Sequence, residues 1–287
     1  MSVARNLHVT LDTIKWEHSI FALPFALAGA MLGARGLPTW RQLAWILVAM
    51  VAARSAAMAF NRLVDHSLDA ANPRTRMRAL PAGLLSRQFV LGFVVLSCLI
   101  FVIAAAELNY LALVLSPVAL GILLLYSYTK RFTRWSHLIL GFADGISAPA
   151  GWIAVRGSLD WRIVILAGAI TFLVGGFDVL YACQDYDFDR QAGLHSIPRF
   201  LGIRSAFWVA RGFHLLMIGL LLWLVFALQL GALALVGVLI VAALLVYEHS
   251  LVSHHDLSRL NAAFFTMNGV ISVVYFLFIA ADLLVHH

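Results

Sequence analysis

The chain has 287 residues, of which 62% are hydrophobic and only 12% charged, and its net charge is +6. Soluble domains are usually about 45–50% apolar and about 25% charged, so this composition excludes an ordinary soluble protein. Apolar runs near the ~20 residues that cross a bilayer recur along nearly the whole length, without the alternating pattern of a membrane β-barrel. The positive charge does not indicate nucleic-acid binding, because Lys and Arg concentrate in the cytoplasmic loops of membrane proteins. The sequence therefore predicts an all-α, polytopic membrane protein.

Nine transmembrane helices are predicted, within a single domain that covers residues 1–287. The spans are roughly 18–34, 43–62, 88–106, 109–127, 137–155, 162–183, 207–228, 232–248 and 264–284. The fifth span contains two prolines or glycines in each half, so we expect a kink or a break that neighbouring helices can accommodate. The residues before the first span are too polar for a cleaved signal peptide, and we expect an amphipathic segment at the membrane surface.

The distribution of Arg and Lys predicts the orientation in the membrane. The loops after even-numbered spans carry most of these residues and are therefore assigned to the cytoplasm, with the N-terminus inside and the C-terminus outside. The residues in these loops are Arg74, Arg76, Arg78 and Arg87, then Lys130, Arg131 and Arg134, then Arg190, Arg199 and Arg204, and finally Arg259.

The first strongly polar stretch, NRLVDHSLDAANPRTRMRALPAG, covers residues 61–83. Asn61, Asp65 and Asp69 recur every four residues, so on a helix their side chains project from one face. Three arginines follow directly after an Asn-Pro break. A concentration of acid and base beside apolar helices requires an explanation, because ionisable groups near a bilayer core are costly.

A second stretch of the same kind, FDVLYACQDYDFDRQAGLHSIPRFLG, covers residues 177–202. Asp185 and Asp189 are four residues apart, and Asp178 lies seven residues earlier on nearly the same helical face. A basic loop follows, as in the first stretch. Both stretches come after even-numbered spans, so we expect them on the same side of the membrane, which hints at an internal repeat.

Two acidic clusters on one membrane side favour a metal-diphosphate site over two solvated salt-bridge clusters. Close carboxylates repel one another, and cations must neutralise them near a medium of low dielectric constant. Mg²⁺ prefers oxygen ligands and typically binds one or two carboxylates together with substrate phosphates. Arginines bind the remaining phosphate oxygens bidentately.

These motifs resemble the UbiA superfamily of membrane prenyltransferases, and the resemblance extends over essentially the whole chain. The family's N-D-x-x-D-x-x-x-D motif matches at Asn61, Asp65 and Asp69, and its D-x-x-x-D motif matches at Asp185 and Asp189. The family's R-T-x-x-R-P-L stretch is matched by RTRMRAL from residue 74, except that Ala79 stands where proline is usual. YACQD from residue 181 resembles the family's Y-A-x-Q-D, and YSYTKR resembles the loop between its fourth and fifth helices.

The chain departs from the family pattern at Arg62, which stands where the second residue of the first motif is usually Asp. This replaces a possible metal ligand by a cation. Two interpretations remain open: Arg62 contacts phosphate, or it pairs with a neighbouring aspartate.

The resemblance implies nine helices around a central cavity with cytoplasmic Asp-rich motifs, in a bacterial inner membrane. It implies transfer of the prenyl group of a polyprenyl diphosphate to a hydroxylated aromatic acid in menaquinone or ubiquinone biosynthesis. The expected acceptor is 4-hydroxybenzoate or 1,4-dihydroxy-6-naphthoate, since the motifs look most like the futalosine-route menaquinone branch. Haem, homogentisate, chlorophyllide or a glycerol phosphate are alternative acceptors, and a cation or proton transporter is an alternative class.

On this interpretation, Mg²⁺ is held by Asn61, Asp65, Asp69, Asp185 and Asp189. The candidate substrate-binding residues are Arg62, Arg74, Arg78, Lys130, Arg131, Asp178, Arg54, Tyr126, Tyr181 and His195. Arg54 is a candidate counter-charge for an acceptor carboxylate, and the tyrosines could line a carbocation pocket. Asp178 either orients the acceptor or accepts its proton, unless it is only a polar contact between helices. His195 is a candidate base or acceptor contact, although a loop histidine is more often solvated.

Overall fold

The computed structural model describes Val9 and residues 19–253, 256–257 and 260–286, and its secondary structure in these ranges is helical apart from one isolated β-bridge. The predicted amphipathic segment lies outside the described residues except for Val9 and the last part that joins the first helix. The helices are α1 (Ser19–Ala34), α2 (Trp40–Val64), α3 (His66–Ala71), α4 (Arg87–Leu108), α5 (Tyr110–Thr129), α6 (Ser136–Gly145), α7 (Ser147–Arg156), α8 (Trp161–Ala182), α9 (Tyr186–Gln191), α10 (Ile197–Leu201), α11 (Ile203–Ala227), α12 (Ala232–Leu251) and α13 (Leu260–His286).

Each of the nine predicted spans has a helical counterpart in the described part of the chain. Eight helical segments are long and apolar enough to cross a membrane, and the first span corresponds to the shorter helix α1. The predicted break in the fifth span is confirmed, because α6 ends at Gly145 and α7 begins at Ser147. The all-α membrane fold predicted from composition is therefore the fold observed.

The long helices surround a central cavity. Going round it, α2, α4 and α5 pack in sequence, α5 meets α6, α8 packs against α6 and α11, and α12 and α13 complete the circuit back to α1. Helices α1 and α7 pack along each other, and α1 also contacts α2 and α13. The order of the helices around the cavity thus largely follows their order in the chain.

The apolar surface of α4 faces outward. Leu91, Val95, Leu99 and Ile103 are each more than half exposed, and their spacing of four residues places them on one stripe of the helix. The buried core lies mainly in the second half, where α8 packs against α11 and α13. Exposed leucines and valines in a stripe suit contact with lipid, as expected for an integral membrane protein.

Small residues allow α1 and α7 to approach closely. A Cβ atom added to Gly29 would lie 2.0 Å from the carbonyl oxygen of Ala148, and one added to Gly151 would lie 2.0 Å from that of Ala26. The two glycines therefore permit backbone-to-backbone contact in both directions, which is a common way for membrane helices to associate. This contact holds the broken fifth span against the first helix.

Candidate functional site

A cavity of about 740 Å³ occupies the centre of the helical ring and reaches both polar stretches. Carboxylates and guanidinium groups line one end. Aliphatic and aromatic side chains line the rest, among them Leu47, Met50, Phe101, Leu123 and Ile170. The cavity can therefore accommodate a ligand that has a charged group at one end and an apolar tail along the walls.

The first acidic motif lies at the C-terminal end of α2. Asp65 caps this helix, is only 2% exposed and accepts a hydrogen bond from Asn61 Nδ2 at 3.2 Å. Lys130 Nζ donates to Asp65 Oδ2 at 2.7 Å, and Arg131 Nη2 lies 3.3 Å from Oδ1. Two cations from the loop after α5 thus neutralise a carboxylate that burial would otherwise destabilise.

Asp69 follows one turn later, in the short helix α3, and is 5% exposed. Its Oδ1 accepts a hydrogen bond from Arg78 Nη1 at 2.7 Å. Its Oδ2 is buried without a hydrogen-bond partner among the described residues, and Arg62 Nη1 lies 3.9 Å away from it. Arg62 therefore forms a loose ion pair with Asp69, and the side chain is itself almost completely buried at the cavity wall.

The second acidic motif meets the first through Arg74. Its Nε donates to Asp185 Oδ1 at 2.9 Å, and its Nη2 also hydrogen-bonds that carboxylate, so the pair is bidentate. Asn72 Nδ2 donates to Asp185 Oδ1 at 3.0 Å as well. The Tyr181 hydroxyl accepts a hydrogen bond from Arg74 Nη1, and the guanidinium lies 5.1 Å from the centre of the Tyr181 ring.

This environment affects the charge of Arg74. Burial alone would lower the pKa of Arg74, but the hydrogen bonds to Asp185 and Tyr181 outweigh it and raise the pKa above its usual value. Arg74 is therefore charged at every physiological pH. A permanent positive charge at the join between the two motifs suits an anionic ligand.

Asp189 lies one turn beyond Asp185, in the short helix α9, and is 8% exposed. The loop after α9 turns back toward the first half, where the His195 backbone N–H donates to the Lys130 carbonyl oxygen at 2.7 Å. His195 and Asp189 both line the cavity. The second acidic motif thus resembles the first, because a long helix precedes one aspartate and a short helix carries the next. In the second motif the 3₁₀ turn Cys183–Asp185 separates the two helices.

Most of the predicted substrate-binding residues line the cavity. Arg131 is the exception, because its Nη2 donates to the Val64 carbonyl oxygen at 2.7 Å and its guanidinium lies 5.5 Å from the Tyr128 ring centre. It supports Asp65 from behind the cavity wall. The residues that line the cavity are Arg54, Arg62, Arg74, Arg78, Tyr126, Lys130, Asp178, Tyr181 and His195.

Two polar cavity residues were not predicted from the sequence. Asp144 in α6 lies 3.6 Å from Arg54 Nη1, and His137 in the first turn of α6 contacts Asp178, with Nδ1 and Oδ2 2.6 Å apart. An acidic residue inside an apolar span was the available signal for Asp144, since such residues usually mark a functional position. Nothing in the sequence pattern pairs His137 with Asp178.

The residues present fit a hard divalent cation bound together with a phosphate ligand. Asn61 and the four motif aspartates offer oxygen atoms, which Mg²⁺ prefers, and Asp69 Oδ2 has no hydrogen-bond partner within the described ranges. The described residues contain no group of three or more His, Cys, Asp or Glu side chains gathered as a ready metal site. Lys and Arg hold most of the carboxylates instead, so the donors suit a cation that shares its ligands with a substrate rather than a closed protein cage.

The fold and the cavity define a helical membrane protein with a deep chamber that is charged at one end and apolar along its walls. The model of the UbiA prenyltransferase family matches residues 22–270. The chain is 31% identical over 256 residues to the 4-hydroxybenzoate octaprenyltransferase of Vibrio cholerae, and the match covers 88% of each protein. The chain belongs to the UbiA prenyltransferase family.

Solved structures agree with this assignment. The apo structure of a UbiA homologue from Aeropyrum pernix K1 superposes with a TM-score of 0.84 at 33% identity, covering 94% of this chain and 98% of that one. A UbiA homologue from Archaeoglobus fulgidus, bound to DMAPP and Mg²⁺, shares the fold with a TM-score of 0.71 at 18% identity, covering 96% of this chain and 99% of that one. The protein is thus a prenyltransferase of the UbiA type.

Proposed function

We propose that the protein transfers the prenyl group of a polyprenyl diphosphate to a hydroxylated aromatic acid within the membrane, as a step of quinone biosynthesis. The observation that carries this proposal is the direct bridge between the two acidic motifs at the charged end of an apolar cavity. Arg74 and Asn72 from the first stretch both bind Asp185 of the second. A diphosphate with an isoprenoid tail matches this division between charged and apolar walls.

The leaving diphosphate is bound by cations at the charged end of the cavity. Arg74, Arg78 and Lys130 each hold an aspartate and also line the cavity, so they can exchange that partner for a phosphate oxygen. Their charge stabilises the negative charge that develops as the allylic C–O bond breaks. Arg131 assists by fixing Asp65 rather than by touching the substrate.

Mg²⁺ is the proposed cofactor, held by Asn61, Asp65, Asp69, Asp185 and Asp189. When bound, it neutralises charge on the diphosphate and makes it a better leaving group. The carboxylates would hold the metal ion and so orient the diphosphate. The apolar walls exclude water from the reacting allylic carbon. The A. fulgidus homologue bound to DMAPP and Mg²⁺ supports this ligand pair by analogy of fold.

Arg62 changes the expected chemistry of the first motif. Its guanidinium is buried beside Asp69 Oδ2 without a short contact, so it offers a fixed positive charge at the position where the family motif has a carboxylate. We propose that Arg62 neutralises Asp69 in the free protein and binds a diphosphate oxygen in the complex. This would reduce the number of metal ions required.

The acceptor carboxylate is assigned to Arg54. Its Nε is buried without a hydrogen-bond partner among the described residues, and its contact with Asp144 is long at 3.6 Å. Arg54 precedes Asp65 by eleven residues on α2, which corresponds to a depth of about 16 Å along the helix axis. Tyr126 lines the same region and is proposed to pack on the acceptor ring or the allylic cation.

The names of the relatives support an aromatic acid as the acceptor, and 4-hydroxybenzoate and 1,4-dihydroxy-6-naphthoate are the two proposed compounds. The products are precursors of ubiquinone and menaquinone respectively. The charge distribution supports cytoplasmic acidic motifs and a cytoplasmic N-terminus in a bacterial inner membrane, with the C-terminus outside.

The test is to purify the protein in detergent and incubate it with a polyprenyl diphosphate, Mg²⁺ and each acceptor separately. The products are identified by mass spectrometry, and diphosphate release is measured in parallel. The proposal predicts a C-prenylated aromatic acid and stoichiometric diphosphate with at least one of the two acceptors. Product formation only with a haem, chlorophyllide, homogentisate or glycerol phosphate acceptor would change the acceptor assignment, and absence of any prenylated product would contradict the proposal.

A further inference from the structure

A histidine and an aspartate form a hydrogen-bonded pair in the cavity wall. His137 is 3% exposed, whereas the Asp178 side chain is 29% exposed and lines the cavity. The backbone N–H of Ile197 donates to His137 Nε2 at 3.1 Å. Because Nε2 accepts this hydrogen bond, a neutral His137 carries its proton on Nδ1 and donates it to Asp178 Oδ2, which is 2.6 Å away.

The His137–Asp178 pair lies between the proposed diphosphate site and the proposed acceptor site. Asp178 lies in α8, seven residues before Asp185, which belongs to the turn directly after this helix. Asp178 therefore lies about 10 Å deeper in the cavity along the helix axis. His137 precedes Asp144 by seven residues on α6, so the contact between Asp144 and Arg54 lies roughly 10 Å deeper still. The proposed diphosphate site and the proposed acceptor anchor therefore stand on opposite sides of Asp178.

Asp178 also differs in its partner from Asp65 and Asp185. Asp65 is bound to Lys130, and Asp185 is bound to Arg74. Asp178 is hydrogen-bonded to the His137 imidazole, and no Lys or Arg forms an ion pair with it among the described residues. Its carboxylate, which is partly exposed to the cavity, is therefore available to a substrate without displacing a Lys or Arg.

We propose that Asp178 is the base that removes the proton from the acceptor ring, and that His137 is the positioning residue that holds it in place. This rests on the proposed function. The allylic C–O bond breaks with its electron pair on the diphosphate, and the ring carbon forms the new C–C bond to the allylic carbon. The C–H bond at that ring carbon then breaks, its electrons restore the aromatic ring, and the proton ends on a carboxylate oxygen of Asp178.

The position of His137 depends on the second acidic stretch. Ile197 begins α10, directly after the loop that carries His195, and its N–H fixes the orientation and tautomer of the imidazole. The base is thus held by the same segment that follows Asp185 and Asp189. Proton removal in an otherwise apolar cavity requires polar groups that are already in position beside the reacting carbon.

The first test is the Asp178→Asn variant with an acceptor deuterated at the ring position that forms the new bond. General-base catalysis contributes about 10²–10⁴-fold, so kcat is expected to fall within that range while KM for the prenyl diphosphate stays unchanged. The wild-type protein should show no deuterium isotope effect on kcat, and the variant should show a primary one, because C–H cleavage becomes rate-limiting. A fall in kcat without an isotope effect, or a rise in KM for the prenyl diphosphate, would overturn the assignment of Asp178.

The second test compares His137→Gln with His137→Phe. Glutamine can donate one N–H to Asp178 and accept the Ile197 N–H on its amide oxygen, whereas phenylalanine fills the space and makes neither hydrogen bond. The Gln variant should keep most of the activity without an isotope effect, and the Phe variant should show the slow, isotope-sensitive turnover of Asp178→Asn. Equal activity of the two variants would overturn the role of His137, and this comparison remains decisive if Asp178→Asn does not fold.

The matched control is His214→Gln, which alters another buried histidine that does not line the cavity and contacts the Leu173 carbonyl oxygen. It should lower thermal stability without any isotope effect on kcat; an isotope effect in this variant would show that the signal reports general damage and would contradict the proposal. Failure of the wild-type protein to form any prenylated acid is a separate outcome, since it contradicts the proposed function itself.

Discussion

At the scale of single residues, the arginines are distinguished by what their guanidinium groups touch. Arg74 joins the two acidic motifs through a bidentate contact with Asp185 and lies over Tyr181. Arg131 carries the same charge but contacts Val64 and Asp65 outside the cavity lining. Charge alone therefore does not define a substrate contact, and the geometry of each side chain decides its role.

The Arg74→Lys substitution tests this geometry. Lysine keeps the charge but has no planar fork, so it cannot bind a carboxylate or a phosphate bidentately. We expect KM for the prenyl diphosphate to rise by about tenfold to a hundredfold, since a hydrogen bond to a charged group contributes about 1.5–3 kcal/mol. Arg76→Lys is the control, because Arg76 is exposed in the same loop and does not line the cavity. Equal KM values for the two variants would contradict the role of Arg74.

The sequence indicated the motif residues but not their partners. The spacing of Asp65 and Asp69 predicts a shared face, because helical periodicity is local. The contact between Arg74 and Asp185 joins residues 111 positions apart, and no local pattern encodes such a contact. The same reason explains why the pair formed by His137 and Asp178 was not predicted.

At the scale of the helices, the short segments α3 and α9 determine where the motif carboxylates point. The sequence predicted continuous helical faces, and the structure instead ends α2 at Val64 and α8 at Ala182 before each motif is complete. The Asp65 backbone carbonyl oxygen still accepts a hydrogen bond from the Asp69 backbone N–H at 2.7 Å, so the four-residue spacing is kept across the change of helix. The break in the fifth span was predictable because glycine and proline mark it, whereas the polar segments around these two breaks carry no such signal.

The contact between α1 and α7 can be tested by Gly151→Ala. The added Cβ would meet the Ala26 carbonyl oxygen at 2.0 Å, so the helices must separate. We expect the free energy of unfolding to fall by about 1–3 kcal/mol, as for other overpacked sites. The fall is measured as a lower unfolding temperature in detergent. Gly219→Ala is the matched control, because a Cβ there meets nothing within 4 Å, and it should be neutral or slightly stabilising. The same unfolding temperature for both variants would show that close helix contact is not required.

At the scale of the whole molecule, the two halves contribute equivalent parts to one cavity. Helices α2 and α3 carry the first motif, and α8 and α9 carry the second. Composition and apolar periodicity were sufficient to predict a helical membrane protein, because they follow from the bilayer itself. The order of helices around the cavity depends on packing between distant segments, which single-sequence periodicity does not describe.

The proposed orientation predicts which loops are accessible from each side of the membrane. In a variant without Cys98 and Cys183, Leu159→Cys lies in the loop between α7 and α8 and should react with a membrane-impermeant maleimide added to intact cells. Arg76→Cys, in the loop after α3, should react only after the cells are opened. The reverse pattern would invert the assigned topology and place the acidic motifs outside.

The central claim is that the bridged acidic motifs form a magnesium-dependent diphosphate site. Binding of a non-reactive prenyl thiodiphosphate to the purified protein, measured by isothermal titration calorimetry with and without Mg²⁺, tests it most directly. Saturable binding of one ligand per chain should require Mg²⁺ and should be lost in the Asp69→Asn, Asp189→Asn double variant. It should persist in Glu107→Gln, which removes a carboxylate paired with Arg41 near the other ends of α2 and α4. Binding with the same affinity in the absence of Mg²⁺ and in the double aspartate variant would contradict a magnesium-dependent diphosphate site.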